Sequence, residues 1–340
     1  MRSVKIYEHG SFDVLNVEDC NEPRCLSGTL KIKIKAAAIN HLDLWVRNGI
    51  AGFKTKFPII LGSDAAGTIV DIGSEVEGWK EGQDVVVQPI IFCNNCKYCK
   101  SNNQNNCQDF RIIGETDNGV MSDYILLKPQ NIYRKPENLN YEEAASMQLV
   151  FMTAYHMLVE KAKLKKDEAV FIYGGTSGVG SAAIQIAKDI GAKVVASVGS
   201  DKKIDHPLKM GANNVIIHNN DLEANIKKSI INKFDVVFEH IGKDTWDISL
   251  KILRNGGRIV TCGATTGASV NLKLNHLFYK NLSILGSTMS NLRTFYAVQK
   301  KIADKVYFPF VDKVFTVDKI RQAHKYIEER NHQGKVIIKF

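Results

Sequence analysis

The segment from Glu168 to Val198, EAVFIYGGTSGVGSAAIQIAKDIGAKVVASV, decides the fold of this protein. Its first apolar run, Ala169–Tyr173, is short and rich in β-forming residues, which predicts a buried strand. This run is followed by a glycine loop, a helical pattern that ends at Gly191 and a second strand at Lys193–Val198. Strand, glycine turn, helix and strand in close succession form the context of a dinucleotide-binding fingerprint.

The glycine loop is expected to hold the pyrophosphate of the dinucleotide. Gly175 would permit the tight turn, Gly178 would let the backbone approach the pyrophosphate, and Gly180 would let the helix pack closely on the strand. The N-terminus of the helix would offer free N–H groups to the anion. The predicted cofactor contacts of the loop are Gly175, Thr176, Ser177, Gly178, Val179 and Gly180.

The composition is that of a globular protein with no membrane span. The 340 residues are enough for two domains, 44% are hydrophobic, and no apolar run is long enough to cross a bilayer. The first residues resemble a strand and lack a signal-peptide core, so we expect a cytoplasmic protein. The net charge of +9 could attract anions, but the lysines are interspersed with acids. A solvated surface is therefore favoured over nucleic-acid binding.

The pattern along the chain predicts a β domain followed by an α/β domain. Leu30–Lys35 alternates with a period of two, as a half-buried strand does, and the front section is typical of an antiparallel barrel. From Tyr141 onward helices alternate with strands, which predicts a parallel sheet. The final strand, Lys335–Lys339, is expected to return to the first domain. The predicted boundaries are 1–149, 150–285 and 286–340.

Four of the seven cysteines are clustered and predict a structural zinc lobe at about 90–110. They are Cys93, Cys96, Cys99 and Cys107. Four thiolates form the closed tetrahedral shell of a structural zinc ion, and clustered cysteines in a cytosolic chain favour metal over disulfides. Iron or free thiols are the alternatives. The segment between them is polar and would need the ion to hold its shape.

Taken together, these features resemble the medium-chain dehydrogenase/reductase superfamily over essentially the whole chain. The markers are Gly62–Gly67, Gly82–Val85, the four-cysteine lobe, Thr153–Tyr155, the glycine loop, Gly286–Thr288 and Gly334–Val336. The resemblance implies an α/β plus β fold, with a GroES-like antiparallel β catalytic domain and a doubly wound Rossmann coenzyme domain. It also implies a homodimer or homotetramer.

The positions that bind catalytic zinc in zinc alcohol dehydrogenases of this superfamily differ in this chain. Matching the motifs residue by residue places Asn40, Ser63 and Leu149 (or Gln148) there. None offers a thiolate or an imidazole, so these residues do not predict a zinc site. The pattern instead resembles the quinone oxidoreductase and enoyl reductase branches. These reduce quinones or activated carbon–carbon double bonds, as in an enone or an enoyl-CoA such as acryloyl-CoA, without catalytic metal.

The resemblance also suggests residue roles. Asn40 and Ser63 would donate hydrogen bonds to the substrate carbonyl, and His41 would relay a proton. Asp43 of the same turn is the fourth candidate catalytic residue. Thr153 would contact the nicotinamide. The other cofactor contacts implied are Gly242, Gly263, Ser287 and Lys335.

The residues after the second strand indicate which dinucleotide is used. Ser200 and Lys203 suit the 2′-phosphate of NADPH, because a hydroxyl and an ammonium group can bind it. Asp201 lies close enough to leave NADH open as the alternative. Two other functions also remain open: a zinc-dependent alcohol or aldehyde dehydrogenase, and a non-catalytic protein that binds NADPH or RNA. The loops Gly49–Pro58 and Asn291–Phe295 are expected to shape the substrate pocket.

Overall fold

The structure is a computed structural model that describes residues 1–50 and 54–340. Residues 51–53 of the predicted pocket loop lie outside the described residues. The chain forms two compact units. Unit 1 contains Met1–Leu149 and Phe295–Phe340, and unit 2 contains Val150–Thr294. In the described part of the chain, no helix is long and apolar enough to cross a membrane.

The strands are β1 (Arg2–Ile6), β2 (Asn16–Asp19), β3 (Leu30–Ile39), β4 (Ile59–Ile60), β5 (Asp64–Ile72), β6 (Asp84–Val87), β7 (Ile90–Ile91), β8 (Arg111–Ile112), β9 (Tyr124–Leu127), β10 (Ile132–Arg134), β11 (Ala169–Ile172), β12 (Lys193–Val198), β13 (Asn214–Ile217), β14 (Phe234–Glu239), β15 (Leu253–Thr261), β16 (Ser283–Gly286), β17 (Val311–Thr316) and β18 (Lys335–Lys339).

The α-helices are α1 (His41–Asn48), α2 (Lys97–Lys100), α3 (Tyr141–Ala145), α4 (Gln148–Tyr155), α5 (Gly178–Ile190), α6 (Asp205–Met210), α7 (Leu222–Lys228), α8 (Lys243–Ile252), α9 (Leu274–Tyr279), α10 (Leu292–Ala303) and α11 (Ile320–Glu328). A π-helical turn, His156–Lys161, follows α4 directly.

Unit 1 is built around a mostly antiparallel sheet in the order β10-β6-β5-β3-β18-β17, with β9 also paired to β3. The alternation in β3 directs Leu30, Ile32 and Ile34 into the core. Gly67 in β5 faces β3 so closely that a Cβ there would lie 2.3 Å from the carbonyl oxygen of Lys33. The C-terminal strand β18 pairs with both β3 and β17. The predicted antiparallel β domain is confirmed.

Unit 2 contains a parallel sheet of six strands in the order β13-β12-β11-β14-β15-β16. The predicted strand at Lys193–Val198 has those bounds in the structure, and α5 connects it to β11. All four residues of β11 are buried, as expected for a central parallel strand. Gly191 ends α5 in the left-handed conformation, with φ of 86°. The predicted Rossmann fold is confirmed.

Candidate functional site

Five side chains form a buried polar cluster in unit 1: Asn40, Asp43, Ser63, Asp64 and Lys335. All are at most 5% exposed. The register of the sheet brings them together. Val336 of β18 lies opposite Ile39 of β3, so Lys335 comes next to Asn40 at the end of β3. On the other side of β3, Ala38 lies opposite Asp64 at the start of β5.

Asn40 is the centre of this cluster. Its side-chain Oδ1 accepts a hydrogen bond from Lys335 Nζ, and its Nδ2 donates to Asp64 Oδ2 at 3.0 Å. Because an ammonium group only donates and a carboxylate only accepts, the two contacts fix the orientation of the amide. Within the described residues, no acceptor is found for the second N–H of Nδ2. The amide thus keeps one donor for a ligand.

The two carboxylates are held by backbone N–H groups as well. Asp43 accepts from the N–H of Asn40 at 2.7 Å and from that of Gly62 at 2.8 Å. Asp64 accepts from the N–H of Leu149 at 2.9 Å, and its Oδ2 lies 3.5 Å from Lys335 Nζ. Leu149 lies in the first turn of α4, so Asp64 connects the cluster to the start of that helix.

Burial dominates the ionisation of the cluster. It raises the pKa of Asp43 to about 6, while the N–H groups of Asn40 and Gly62 and the charge of Lys335 oppose the shift. It also raises the pKa of Asp64 and lowers the pKa of Lys335, although each charge stabilises the other. Two acids therefore share one ammonium group, away from water.

The surroundings of three predicted site residues, Ser63, His41 and Lys335, differ from one another. Ser63 is fully buried, and its Oγ has no hydrogen-bond partner among the described residues. His41 is exposed at the start of α1, with its ring edge-on to Trp45 at 5.3 Å. Lys335, predicted to contact the cofactor, has its ammonium group on Asn40 and Asp64. Asp64 was not among the predicted site residues. The sequence does contain a sign of its importance: Asp64 is an acid directly before the small residues Ala65, Ala66 and Gly67 at the start of a strand.

In unit 2 the glycine loop connects β11 to α5. Ser177 is the N-cap of α5 and accepts from the N–H of Gly180 at 3.0 Å. A Cβ on Gly180 would lie 2.2 Å from the carbonyl oxygen of Gly174. The turn differs from the prediction in one respect: Gly174, with φ of 57°, has the left-handed conformation, whereas Gly175 is needed for space beside Ala196. The glycine loop and the half-buried residues Gly178 and Val179 at the start of α5 fit a pyrophosphate.

A buried carboxylate, Glu239 at the end of β14, holds the loop that contains Gly242. It accepts from the N–H groups of Ile241 at 2.6 Å and Gly242 at 3.1 Å, and from the hydroxyls of Thr245 at 2.9 Å and Ser249 at 2.8 Å. Four donors satisfy this fully buried acid. Glu239 was not predicted, because its two backbone and two hydroxyl partners come together only when the loop and α8 fold around it.

The remaining predicted cofactor residues are spread over the carboxyl edge of the sheet and the adjoining segments. Ser287 follows β16, and its buried Oγ lacks a partner in the described part of the chain. The buried hydroxyl of Thr153 on α4 lies 3.9 Å from the sulfur of Met289. Ser200 precedes the short turn Asp201–Lys203, and the Gly263 carbonyl accepts from Thr261 Oγ1 at 3.3 Å.

The four clustered cysteines meet in unit 1, with their sulfur atoms within 4.8 Å of one another. The closest sulfur pairs are separated by 3.5 to 3.9 Å. A tetrahedral zinc ion with Zn–S bonds of about 2.3 Å separates its ligands by roughly 3.8 Å, so the cluster fits such an ion.

Backbone N–H groups support the thiolate form at two of these cysteines. They lower the pKa of Cys93, and the N–H of Cys99 lowers the pKa of Cys96 to about 6. Burial raises the pKa of Cys99 to about 12, so this thiol requires a nearby cation to ionise at neutral pH.

Comparison with known proteins matched two family models. Residues 27–137 match an alcohol dehydrogenase GroES-like domain, and residues 178–304 match a zinc-binding dehydrogenase domain. An acryloyl-coenzyme A reductase of Metallosphaera sedula is 29% identical, with 99% of each chain covered. A quinone oxidoreductase of Mus musculus is 28% identical over 99% of this chain and 97% of its own. The crystal structure of an NAD-dependent alcohol dehydrogenase is 35% identical and superposes with a TM-score of 0.95, with 100% of both chains covered.

Proposed function

Because the chain belongs to the medium-chain dehydrogenase/reductase superfamily and is an oxidoreductase, we propose that it reduces an activated carbon–carbon double bond or a quinone with NADPH, without catalytic zinc. The observation that carries the proposal is the buried Asn40 amide, oriented by Lys335 and Asp64. The residues matched to the zinc ligands of related dehydrogenases are Asn40, Ser63 and Leu149. They provide an amide, a hydroxyl and a hydrocarbon side chain, a donor set that does not fit zinc.

The cofactor supplies a hydride when it is bound. Reduction of an enone, an enoyl thioester or a quinone then develops negative charge on the carbonyl oxygen, and a fixed hydrogen-bond donor stabilises that charge. The second N–H of Asn40 and the hydroxyl of Ser63 would be these donors. The charge of Lys335 at the Oδ1 of Asn40 would polarise the amide and strengthen its N–H donor.

The test measures oxidation of NADPH with acryloyl-CoA, crotonyl-CoA, a simple enal and a quinone, together with the zinc content. We expect turnover with at least one acceptor and one zinc per chain. Asn40→Leu should lower kcat by about 10² to 10³, the usual loss for one oxyanion donor, with little change in the KM for NADPH. Unchanged kcat in this variant would contradict the donor role of Asn40.

A second candidate is a zinc-dependent alcohol dehydrogenase, favoured by the 35% identity to the NAD-dependent enzyme. Oxidation of a simple alcohol that depends on a second zinc ion per chain would establish this alternative and exclude the first proposal.

NADPH is proposed over NADH because of the residues after β12. Ser200 and Lys203 can bind a 2′-phosphate. Asp201 is engaged locally, since its Oδ1 accepts from the N–H of Lys202 at 2.8 Å. Lys203→Glu should raise the KM for NADPH far more than the KM for NADH, whereas Lys188→Glu on α5 should change neither. Equal changes in both constants for Lys203→Glu would exclude this role.

The other parts of the proposal are the metal, the assembly and the compartment. One zinc ion would be held by the four cysteines as a structural element, and clustered thiols favour the reducing cytoplasm. β16 is the edge strand of its sheet, and nearby Leu274, Phe278 and Tyr279 are 64%, 62% and 78% exposed. Pairing of two such edges would give a homodimer and cover this apolar surface. Analytical ultracentrifugation of Phe278→Lys should then show monomers.

A further inference from the structure

We propose that unit 2 contains a second anion site, separate from the dinucleotide groove, that binds a small phosphate monoester. The site is a cavity of about 310 Å³, called here the cationic pocket. Its charged lining residues are Lys227, Lys233, Lys251, Lys280, Glu223 and His276. Four ammonium groups face one carboxylate, so the net charge of the lining is +3 with His276 neutral.

The cationic pocket lies at the amino edge of the parallel sheet. Lys233 immediately precedes β14, Lys251 lies in the last turn of α8 before β15, and Lys280 lies shortly before β16. The glycine loop follows the carboxyl end of β11. Because the strands are parallel, these two groups of residues lie at opposite edges of the sheet. A ligand in the cationic pocket would leave the dinucleotide groove accessible.

The positive charge of the pocket is only partly balanced. Glu223 forms ion pairs with Lys227 at 2.8 Å and with Lys251 at 2.9 Å. Lys233 donates to the carbonyl oxygen of Lys251 at 2.8 Å, a neutral acceptor. No carboxylate forms an ion pair with Lys280 within the described ranges, and both burial and the charge of Lys233 lower the pKa of Lys280. An anion bound between Lys233 and Lys280 would attract both ammonium groups, which otherwise repel each other.

The shape and lining indicate the class of ligand. His276 and Lys280 lie one turn apart along α9 and its C-terminus, so they face the same side. Ile226 and Ile252, 1% and 4% exposed, lie behind the lining, so the methylene stems of the lysines would supply the apolar contact. The volume is at the lower end of the range for small-molecule sites, about 300 Å³, and exceeds what a bare phosphate ion fills. A phosphate ester with a small apolar body would contact both the ammonium groups and the methylene stems of the lysines.

The test is calorimetric titration of the NADPH-saturated protein at physiological ionic strength, so that the dinucleotide groove is already filled. The probe is phenyl phosphate, with inorganic phosphate and phenol as comparison ligands. Phenyl phosphate should bind more tightly than inorganic phosphate, and phenol should not bind. Lys280→Gln and Lys233→Gln should each weaken binding at least about tenfold, because each removes a charged partner of the phosphate. Lys128→Gln, a matched loss of one exposed charge in unit 1, should leave the affinity unchanged.

Three results would overturn the proposal. The first is no binding of phenyl phosphate to the NADPH-saturated protein at millimolar concentration. The second is equal weakening by Lys280→Gln and Lys128→Gln, which would indicate a non-specific effect of net charge. The third is salt-sensitive binding of an RNA oligonucleotide, lost in Lys280→Gln, without binding of phenyl phosphate, which would make the surface a polyanion site.

Discussion

The buried pair Arg47–His324 predicts that this protein loses stability in mild acid. Arg47 on α1 and His324 on α11 are at most 1% exposed, and Arg47 Nη1 lies 3.1 Å from His324 Nδ1. Since a guanidinium group only donates, His324 Nδ1 is the acceptor and the neutral ring has its proton on Nε2. Arg47 also donates to the carbonyl of Gly10 at 3.2 Å and to Glu328. Protonation of His324 would place a second positive charge beside Arg47.

The size of this loss of stability follows from the pKa of His324. Burial lowers this pKa from 6.5 to about 3, and the charge of Arg47 acts in the same direction. A depressed pKa means that the unfolded chain takes up the proton first. The stabilising contribution is therefore complete above pH ~6.5 and is lost as the pH falls towards ~3. The slope is about 1.4 kcal/mol per pH unit, so this residue alone costs about 3 kcal/mol between pH ~7.5 and ~4.5.

The assay compares guanidinium denaturation of the wild type, His324→Gln and the exposed-residue control His276→Gln at several pH values. A glutamine oxygen can still accept from Arg47, so His324→Gln can keep the contact without the titration. The stability of His324→Gln should fall less steeply with acid, by about 3 kcal/mol over the same range, and His276→Gln should behave as the wild type. Identical slopes for His324→Gln and wild type would refute the reasoning, since effects such as zinc release are common to both proteins.

Three further predictions concern the cluster, the lobe and the loop. Lys335→Met leaves Asp64 buried without its cation and should destabilise unit 1 by about 3–5 kcal/mol in chemical denaturation. Adding Asp64→Asn should restore part of this stability, and absence of rescue would disprove the coupling between the two residues. Cys99→Ser should abolish the bound zinc in elemental analysis and expose residues 90–110 to proteolysis, whereas Cys25→Ser should retain the metal. Gly180→Ala places a Cβ 2.2 Å from the carbonyl oxygen of Gly174 and should lower the free energy of unfolding by about 1–3 kcal/mol. Gly286→Ala, where a Cβ would have no atom within 4 Å, should lower it less, and equal losses would contradict the packing argument.

Local sequence patterns were sufficient to predict those elements whose structure depends on residues close in sequence. The apolar run, glycine turn and amphipathic helix of Glu168–Val198 predicted β11, α5 and β12, because the spacing of apolar residues and the turn chemistry are read from residues close in sequence. The same locality limited the details. The structure gives the two glycines different roles that their spacing does not encode: Gly174 has the left-handed conformation, whereas a Cβ on Gly175 would lie 2.9 Å from Ala196.

The sequence by itself determined the two kinds of sheet, the glycine loop and the four cysteines whose sulfur atoms meet. Only the tertiary structure decided that Asn40, Asp64 and Lys335 form one buried cluster. Asn40 and Lys335 are 295 residues apart, and the strand register of β18 on β3 makes them neighbours. Likewise Arg47 and His324, separated by 277 residues, meet through helix packing. Strand register and helix packing depend on the whole core. The orientation of Asn40 and the shifted pKa values of the buried groups could therefore be determined only from the folded chain.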